Sequence, residues 1–277
     1  MKTIVVSNAK GGCGKSTIAM NLSTFFAREG KRTLLIDMDS QSQLTQWLDA
    51  GNGFDVEMTL YPALQGSVPI ESVIQQTQYA NLRFIASTLE LESLGREMTD
   101  RVGYESTLAM MLPQLASDFD YIVIDSPNQL SPIQANAIVP ADLIVVPIDG
   151  TKAVRSYAHL FKLLYRLRPD HDNLVMHVLS DVSRQPIVRE RTIAMLKLFG
   201  LHNADTEIRT CPFLATVDEN GANIFEYAPQ SNGAKDIAAL GREVFARLDP
   251  PEMLLLNAPK GNNTLISSNS PHHEQTN

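Results

Sequence analysis

The stretch NAKGGCGKST, residues 8–17, decides the fold of this chain. It follows a short β-branched run, TIVVSNA, which is typical of a buried parallel strand. It precedes a run that places Ile18, Ala19, Leu22, Phe25 and Phe26 on one helical stripe. A strand, a glycine-rich turn and a helix in this order predict a loop that binds phosphate groups.

The chemistry of such a loop assigns a role to each residue. Glycines Gly11, Gly12 and Gly14 let backbone N–H groups curl around phosphate oxygens without steric clashes. The helix begins near Lys15, so its positive dipole end points at the anion. We expect Lys15 to contact the β- and γ-phosphates and the Ser16 hydroxyl to ligate Mg²⁺.

One position departs from the general loop pattern. G-x-x-x-x-G-K-[ST] has glycine first, and this chain has Ala9 there. The alternative interpretation, a glycine-rich turn without a ligand, is disfavoured because strand, loop, the Lys-Ser pair and helix all agree.

Acidic residues stand at the ends of two other predicted strands. In LLIDMDSQ the predicted strand carries Asp37 and Asp39 at its carboxyl end, and in YIVIDSP the strand carries Asp125 there. Ligands of open α/β sheets bind beyond the carboxyl ends of the strands, where these side chains meet. Carboxylates are preferred Mg²⁺ ligands, so Asp37 and Asp125 are predicted to join Ser16 around the metal. The alternative for Asp125 alone is a helix N-cap.

The rest of the chain repeats the alternation of strands and helices. Strands are predicted at 82–87, 120–127, 141–148 and 173–180, and helices at 104–117, 152–167, 187–199 and 233–248. This pattern indicates an α/β fold with a mostly parallel twisted sheet and helices on both faces. Residues 50–80 are assigned only weakly. We expect one domain over 1–249 and a largely disordered tail over 250–277, which is rich in Asn, Ser and Pro.

Composition excludes several classes of protein. The chain has 277 residues, 44% of them hydrophobic, which allows a sizeable core. Its two cysteines have no neighbours at metal-ligand spacing, so a zinc site is not expected. No window approaches the roughly 18 apolar residues of a membrane span. The tail has one lysine and no amphipathic period, so the sequence predicts a cytoplasmic protein without a membrane anchor.

Charge is distributed unevenly. The chain has a formal net charge of −8, but residues 152–197 contain nine basic and four acidic side chains, and the remainder is strongly acidic. Two interpretations stay open: solvated helix faces, or a surface that binds DNA weakly and without sequence preference.

Several motifs carry a resemblance to one family. KGGCGKST resembles the deviant Walker A motif, KGGxGK[ST], of the ParA/MinD family of P-loop ATPases. LLIDMDSQSQLTQWL resembles the family's D-x-D-P-Q-x-x-x-[ST], with Ser40 in place of proline. Residues 121–148 resemble its Walker B and second switch region, and residues 221–244 its C-terminal segment. The resemblance covers most of residues 2–248.

The resemblance implies an ATPase that uses ATP and Mg²⁺ and forms a homodimer around two ATP molecules. Lys10 would cross the interface to the partner's phosphates and act in catalysis with Lys15. Asp39 would orient the attacking water, and Asp125 would hold Mg²⁺ through water. The nucleotide-binding residues on the loop would be Gly11, Gly12, Cys13, Gly14, Lys15, Ser16 and Thr17.

The adenine site is implied less sharply. In the family the base lies near the positions of Ser180–Asp181 and of RTCPFLA, residues 209–215. Pro212 and Phe213 are candidates for stacking on the ring, and a core role for Phe213 is the alternative.

The family suggests a ParA-like function. The ATP dimer would bind nonspecific DNA of the nucleoid, and a partner protein on a cargo would stimulate hydrolysis. That cargo would be a plasmid, a chromosome region or a protein microcompartment. The alternative is a small-molecule ATP-dependent synthetase or kinase of the same superfamily. The presence of Lys10 distinguishes these two functions only in part. A reductase resembling the nitrogenase iron protein is excluded, because Cys13 and Cys211 are not placed to ligate a shared cluster.

Overall fold

The computed structural model describes residues 1–49, 53–55, 57–181, 186–215 and 223–250. Its centre is a seven-stranded sheet with the order β3-β4-β2-β5-β1-β6-β7. The strands are β1 (Lys2–Val6), β2 (Thr33–Asp37), β3 (Gln75–Gln76), β4 (Leu82–Ile85), β5 (Tyr121–Asp125), β6 (Leu143–Ile148) and β7 (Val175–Leu179). All neighbours are parallel except β3, which pairs antiparallel with β4.

Helices cover both faces of this sheet. They are α1 (Lys15–Arg28), α2 (Gln43–Asp49), α3 (Leu60–Gln65), α4 (Glu90–Met98), α5 (Thr107–Met111), α6 (Pro132–Ile138), α7 (Thr151–Leu167), α8 (Pro186–Leu198), α9 (Pro212–Ala215), α10 (Ile224–Tyr227) and α11 (Asn232–Leu248). One buried cluster packs α3 to α8 on one face, and a second packs α1, α2 and α11 on the other. The predicted fold class is confirmed.

The register of the central strands places the functional site. Val6 of β1 pairs with Asp125 of β5, and Asp125 pairs in turn with Asp37 of β2. The carboxyl ends of three adjacent strands therefore lie level with one another. Side chains and loops that leave these ends converge on one edge of the sheet.

The predicted helix over 104–117 is wrong as a single helix. The structure has a 3-10 turn over Tyr104–Ser106, then α5, then a second 3-10 turn over Leu112–Leu115. Pro113 occupies the first turn of the last segment. Proline lacks the N–H that an α-helix needs, and its ring clashes with the preceding turn, so α5 ends before it.

The weakly assigned region 50–80 contains α3, a 3-10 turn over Ile70–Val73 and the antiparallel strand β3. The two-residue β3 is too short to give a periodic signal in the sequence. The predicted tail falls almost entirely outside the described residues, so it and the division at residue 249 stay predictions.

Helices α1 and α11 approach so closely that only glycine fits at position 241. A Cβ atom added to Gly241 would lie 2.1 Å from Cδ1 of Phe25. The Phe25 ring is enclosed by the rings of Phe26, Phe225 and Phe245, at centroid distances of 5.9, 6.3 and 5.7 Å. The ring therefore has little room to turn away.

We predict that Gly241→Ala lowers the free energy of unfolding by about 1–3 kcal/mol, because overpacking in a filled core outweighs the better helix propensity of alanine. Gly95→Ala in α4 is the matched control, since its Cβ would lie at 3.2 Å from the Cγ1 atom of Ile133 and needs only a small shift. Urea denaturation measures both. A Gly241→Ala variant as stable as the wild type would contradict this account of the packing.

Candidate functional site

The predicted phosphate loop lies between β1 and α1, at the carboxyl edge of the sheet. Gly12 and Gly14 have φ angles of 72° and 90°, a left-handed conformation that favours glycine. At Gly11 a Cβ would lie 3.2 Å from Nδ2 of Asn128, a tight contact that a small shift of that side chain would relieve. The glycines thus shape the loop and allow the segment after β5 to approach it.

Hydrogen bonds tie this loop to the ends of β6 and β7. The Asn8 side chain donates to the Pro147 carbonyl at 2.8 Å and accepts from the Lys10 N–H at 3.1 Å. The Ser180 hydroxyl donates to the Cys13 carbonyl at 3.1 Å. The loop is therefore fixed to the sheet at both its start and its middle.

Lys15 curls back over the loop. Its side chain is buried, and Nζ donates to the Lys10 carbonyl at 3.3 Å. A cavity of about 240 Å³ lies at this point, and its lining includes Lys15, Ser16, Thr17 and Asp39. The structure thus brings together residues predicted from the loop with one predicted from the end of β2.

Asp125 is buried beside the start of α1, and its chemistry fits a metal ion. Neither carboxylate oxygen meets the geometry of a hydrogen bond with a described residue. Burial, and secondly the charge of Asp37, raises the pKa of Asp125, while Ser16 and Lys15 lower it. A buried carboxylate without a partner is costly. Mg²⁺ held with the Ser16 hydroxyl would supply the missing positive charge.

Asp37 is also buried, but its oxygens are engaged by the protein. Oδ1 accepts from the Asp39 N–H at 3.0 Å, and Oδ2 accepts from the N–H and hydroxyl of Thr45 at 3.0 and 2.8 Å. Burial is the main cause that raises the pKa of Asp37. These contacts shape the turn that carries Asp39, and a place for Asp37 around Mg²⁺ stays a prediction.

Asp39 lies half-buried at the edge of the phosphate cavity. Its Oδ1 atom accepts from the Gln41 N–H at 3.0 Å. Thr45 was not among the residues predicted from the sequence. It fills the final [ST] position of the D-x-D-P-Q-x-x-x-[ST] pattern, so this motif could have identified it.

Lys10 forms an ion pair that the sequence did not predict. Its Nζ contacts the carboxylate of Asp149, directly after β6, and the two side chains are 26% and 14% exposed. The second oxygen of Asp149 has no hydrogen-bond partner among the described residues. The signal was available in the sequence, because Asp149 follows a buried strand as Asp125 does. In this single chain Lys10 therefore lies along its own subunit.

A second cavity, of about 220 Å³, adjoins the phosphate loop on the other side. Ser180 and Asp181 line it together with Gly12, Cys13 and Thr17. Burial raises the pKa of the Cys13 thiol, whose Sγ donates to the Lys10 carbonyl at 3.2 Å. These positions agree with the expected place of a nucleotide base.

The structure does not bring Pro212 and Phe213 to this cavity. Their neighbours Cys211 and Leu214 form the wall instead. Phe213 is 49% exposed and meets the ring of Tyr227 edge-on, with centroids 6.2 Å apart. The two lining residues flank the predicted pair, and a role of this segment in binding the base stays a prediction.

The basic segment forms an ordered stripe along α7. Five exposed side chains recur at helical spacing on one face: Lys152, Arg155, His159, Lys162 and Arg166. Two other cations of the segment are engaged elsewhere. Arg168 pairs with Asp170, and Arg189 donates from Nε to Glu207 at 2.9 Å. Arg184 lies outside the described residues.

No helix in the described part of the chain combines the length and the hydropathy needed to cross a bilayer.

Comparisons with known proteins show what this chain is similar to. The profile of a family described as "AAA domain" matches residues 1–175. The chromosome-partitioning ATPase Soj of Treponema pallidum is 29% identical over 252 residues, which cover 89% of this chain and 98% of that protein.

Solved structures share the fold at lower identity. The McdA–ATP complex of Cyanothece superposes with a TM-score of 0.77 and 21% identity, covering 88% of this chain and 96% of that one. Cobyrinic acid a,c-diamide synthase from Mycobacterium smegmatis, with bound ADP and magnesium, has a TM-score of 0.73 and 21% identity, covering 89% and 94%. Together with the loop geometry and the acidic strand ends, the sequence match shows that this chain belongs to the ParA/MinD family of P-loop ATPases.

Proposed function

We propose that this protein is a ParA-like ATPase that positions or segregates an intracellular cargo, with ATP and Mg²⁺ as its cofactors. The observation that carries the proposal is the second lysine of the phosphate loop, Lys10, which is held beside the nucleotide site by one ion pair with Asp149. The name of the Soj relative, a chromosome-partitioning ATPase, supports the same role.

In this proposal the chain's own residues bind and orient the nucleotide. Backbone N–H groups of Gly12 and Gly14 and the ammonium group of Lys15 bind the phosphates. Ser16 and Asp125 would hold Mg²⁺, which would neutralise charge on the phosphate oxygens. Asp39 accepts a hydrogen bond from the water that attacks the γ-phosphate.

Lys10 makes the subunit sensitive to which nucleotide is bound. A γ-phosphate adds negative charge, and a cation from a second chain can neutralise it. Lys10 would exchange its own Asp149 for the partner's phosphates, so ATP favours the dimer more than ADP does. The exchange is feasible because the Lys10 side chain is 26% exposed and forms a single salt bridge.

The stripe on α7 supplies a surface for DNA. Its cations lie on one helix face, as backbone phosphates require, and no base-reading geometry is needed. A dimer carries two stripes, so binding to nonspecific DNA strengthens when ATP is bound. This would place the ATP dimer on the nucleoid, and hydrolysis stimulated by a cargo-bound partner protein would release it.

A second candidate function is a small-molecule ATP-dependent synthetase or kinase. A cavity of about 640 Å³ beside Asp39, between α4 and residues 127–133, is large enough for a small substrate and favours this alternative. The two functions differ in what stimulates turnover, which is DNA and a partner protein in one case and a substrate in the other.

We predict that Lys10→Ala abolishes the ATP-dependent dimer and DNA retention, while ATP affinity changes less than about fivefold, because Lys15 still binds the phosphates. Light scattering and DNA retention with ATP, ADP and no nucleotide measure this. Lys31→Ala, at an exposed position away from the loop, is the control. A Lys10→Ala variant that still dimerises and binds DNA with ATP would refute the assigned role of Lys10.

Removing two cations from the α7 stripe is predicted to weaken DNA binding without changing ATP-dependent dimerisation. For Lys162→Ala/Arg166→Ala we expect the slope of log affinity against log salt to fall by about two per subunit. Lys235→Ala/Arg242→Ala removes two exposed cations from α11 and serves as the matched control. If both double variants lose affinity equally, α7 is not the DNA surface. If neither binds less tightly than the wild type, the stripe has no role in retention.

A further inference from the structure

We propose that Ser87 and Thr45 are positioning residues for ATP hydrolysis, because their hydroxyl groups hold the backbone of Asp39 in a closed hydrogen-bonded ring. The inference rests on the proposed role of Asp39 in orienting the attacking water. It assigns a function in turnover to two residues that do not line the phosphate cavity.

The first half of the ring joins the end of β4 to the Asp39 turn. Ser87 follows β4 closely and is 4% exposed. Its hydroxyl donates to the Asp39 carbonyl at 2.6 Å, and its N–H donates to Oγ1 of Thr45 at 2.9 Å. Ser87 thus contacts the backbone of Asp39 with its side chain and the side chain of Thr45 with its backbone.

The second half returns through Asp37. The Thr45 hydroxyl donates to Oδ2 of Asp37 at 2.8 Å, and Oδ1 of Asp37 accepts from the Asp39 N–H at 3.0 Å. Both the proton and a lone pair of the Thr45 hydroxyl are therefore used, so its orientation is fixed. The ring closes over Asp39, Ser87, Thr45 and Asp37.

The ring matters because Asp39 stands on a turn outside the sheet. Apart from the ring, its backbone carbonyl accepts from the Ser42 N–H at 2.9 Å, a contact within the turn itself. Ser87 and Asp37 stand at the ends of strands β4 and β2, which are paired in the sheet. The ring therefore transfers the fixed geometry of two strands to the turn. A displacement of about 1 Å in a catalytic group can cost on the order of a hundredfold in rate.

If these hydroxyls had a purely structural role, the variants would behave differently than under a positioning role. Loss of a buried hydrogen bond would then lower the melting temperature and leave the rate of the remaining folded enzyme unchanged. A positioning role lowers kcat while nucleotide affinity stays the same, because the ring acts on Asp39 and not on the phosphate loop. Lower stability with an unchanged kcat therefore indicates a structural role, and a lower kcat with unchanged nucleotide affinity indicates a positioning role.

The test uses the full chain and compares three variants at the two ring positions with a control. We expect Ser87→Ala and Thr45→Val to lower kcat by about tenfold, with ATP affinity and the amount of ATP-dependent dimer within about twofold of wild type. Thr45→Ser keeps the hydroxyl and is expected to restore kcat to within about threefold of the wild-type value. Phosphate release, nucleotide titration and light scattering on the same samples give the three readouts.

Ser23→Ala is the matched control. Ser23 is a fully buried residue of α1, and its hydroxyl donates to the Ala19 carbonyl at 2.7 Å within the same helix. Its loss should lower the melting temperature without changing kcat. Wild-type kcat in both Ser87→Ala and Thr45→Val overturns the proposal. An equal fall of kcat in the Ser23→Ala control also overturns it, because the effect would then follow stability alone.

Asp39→Ala separates this inference from the function on which it rests. If Asp39→Ala hydrolyses ATP at the wild-type rate, the proposed role of Asp39 fails. If Asp39→Ala loses hydrolysis while Ser87→Ala and Thr45→Val keep it, the role of Asp39 stands and the ring is excluded. Should Ser87→Ala fail to fold, Thr45→Val and Thr45→Ser decide alone, since valine keeps the shape of threonine without its hydroxyl.

Discussion

Two carboxylates buried side by side are the constraint on which this site depends. Asp37 and Asp125 pair in register on adjacent strands, and both are almost fully buried. Like charges in such a place raise each other's cost, and protonation, cations or hydrogen-bond donors can offset it. Asp37 obtains its donors from the chain, whereas Asp125 faces Lys15 and the start of α1. The two buried carboxylates thus favour positive charge at the point where the phosphate loop ends.

In the proposed mechanism, this difference between the two aspartates separates nucleotide binding from hydrolysis. Asp125 has no well-formed hydrogen bond among the described residues, and in the proposed mechanism it would hold Mg²⁺ and so affect nucleotide affinity. The donors on Asp37 hold the turn that carries Asp39, so in the proposed mechanism Asp37 would affect the rate of hydrolysis. Asp37 and Asp125 would therefore have different roles because their hydrogen-bond partners differ.

Much of this arrangement could be predicted from the sequence. Buried strands and the phosphate loop are local patterns, and parallel strands bring their carboxyl ends together, so the fold and the convergence of Asp37, Asp39 and Asp125 followed. The break at Pro113 was visible as an irregularity, but its result depends on how the chain packs afterwards. Contacts between distant segments were not predictable, because nothing in a local pattern reports them. Asp149 and Ser87 contact residues 139 and 48 positions away.

The difference between local patterns and contacts of distant segments also explains why the individual cavity-lining residues of the predicted adenine segment were not predicted. The sequence located it by resemblance, but which of four consecutive residues faces the cavity depends on the rotation of the short helix α9, a property set by packing against α11. Gly233 of α11 illustrates this, because a Cβ there would lie 2.9 Å from both Sγ of Cys211 and Cγ of Leu214. That close approach draws Cys211 and Leu214 against α11, and Phe213 points outward in consequence. The positions of Cys211 and Leu214 in the cavity wall therefore depend on a close approach that a side chain at position 233, about 20 residues farther along the chain, would obstruct.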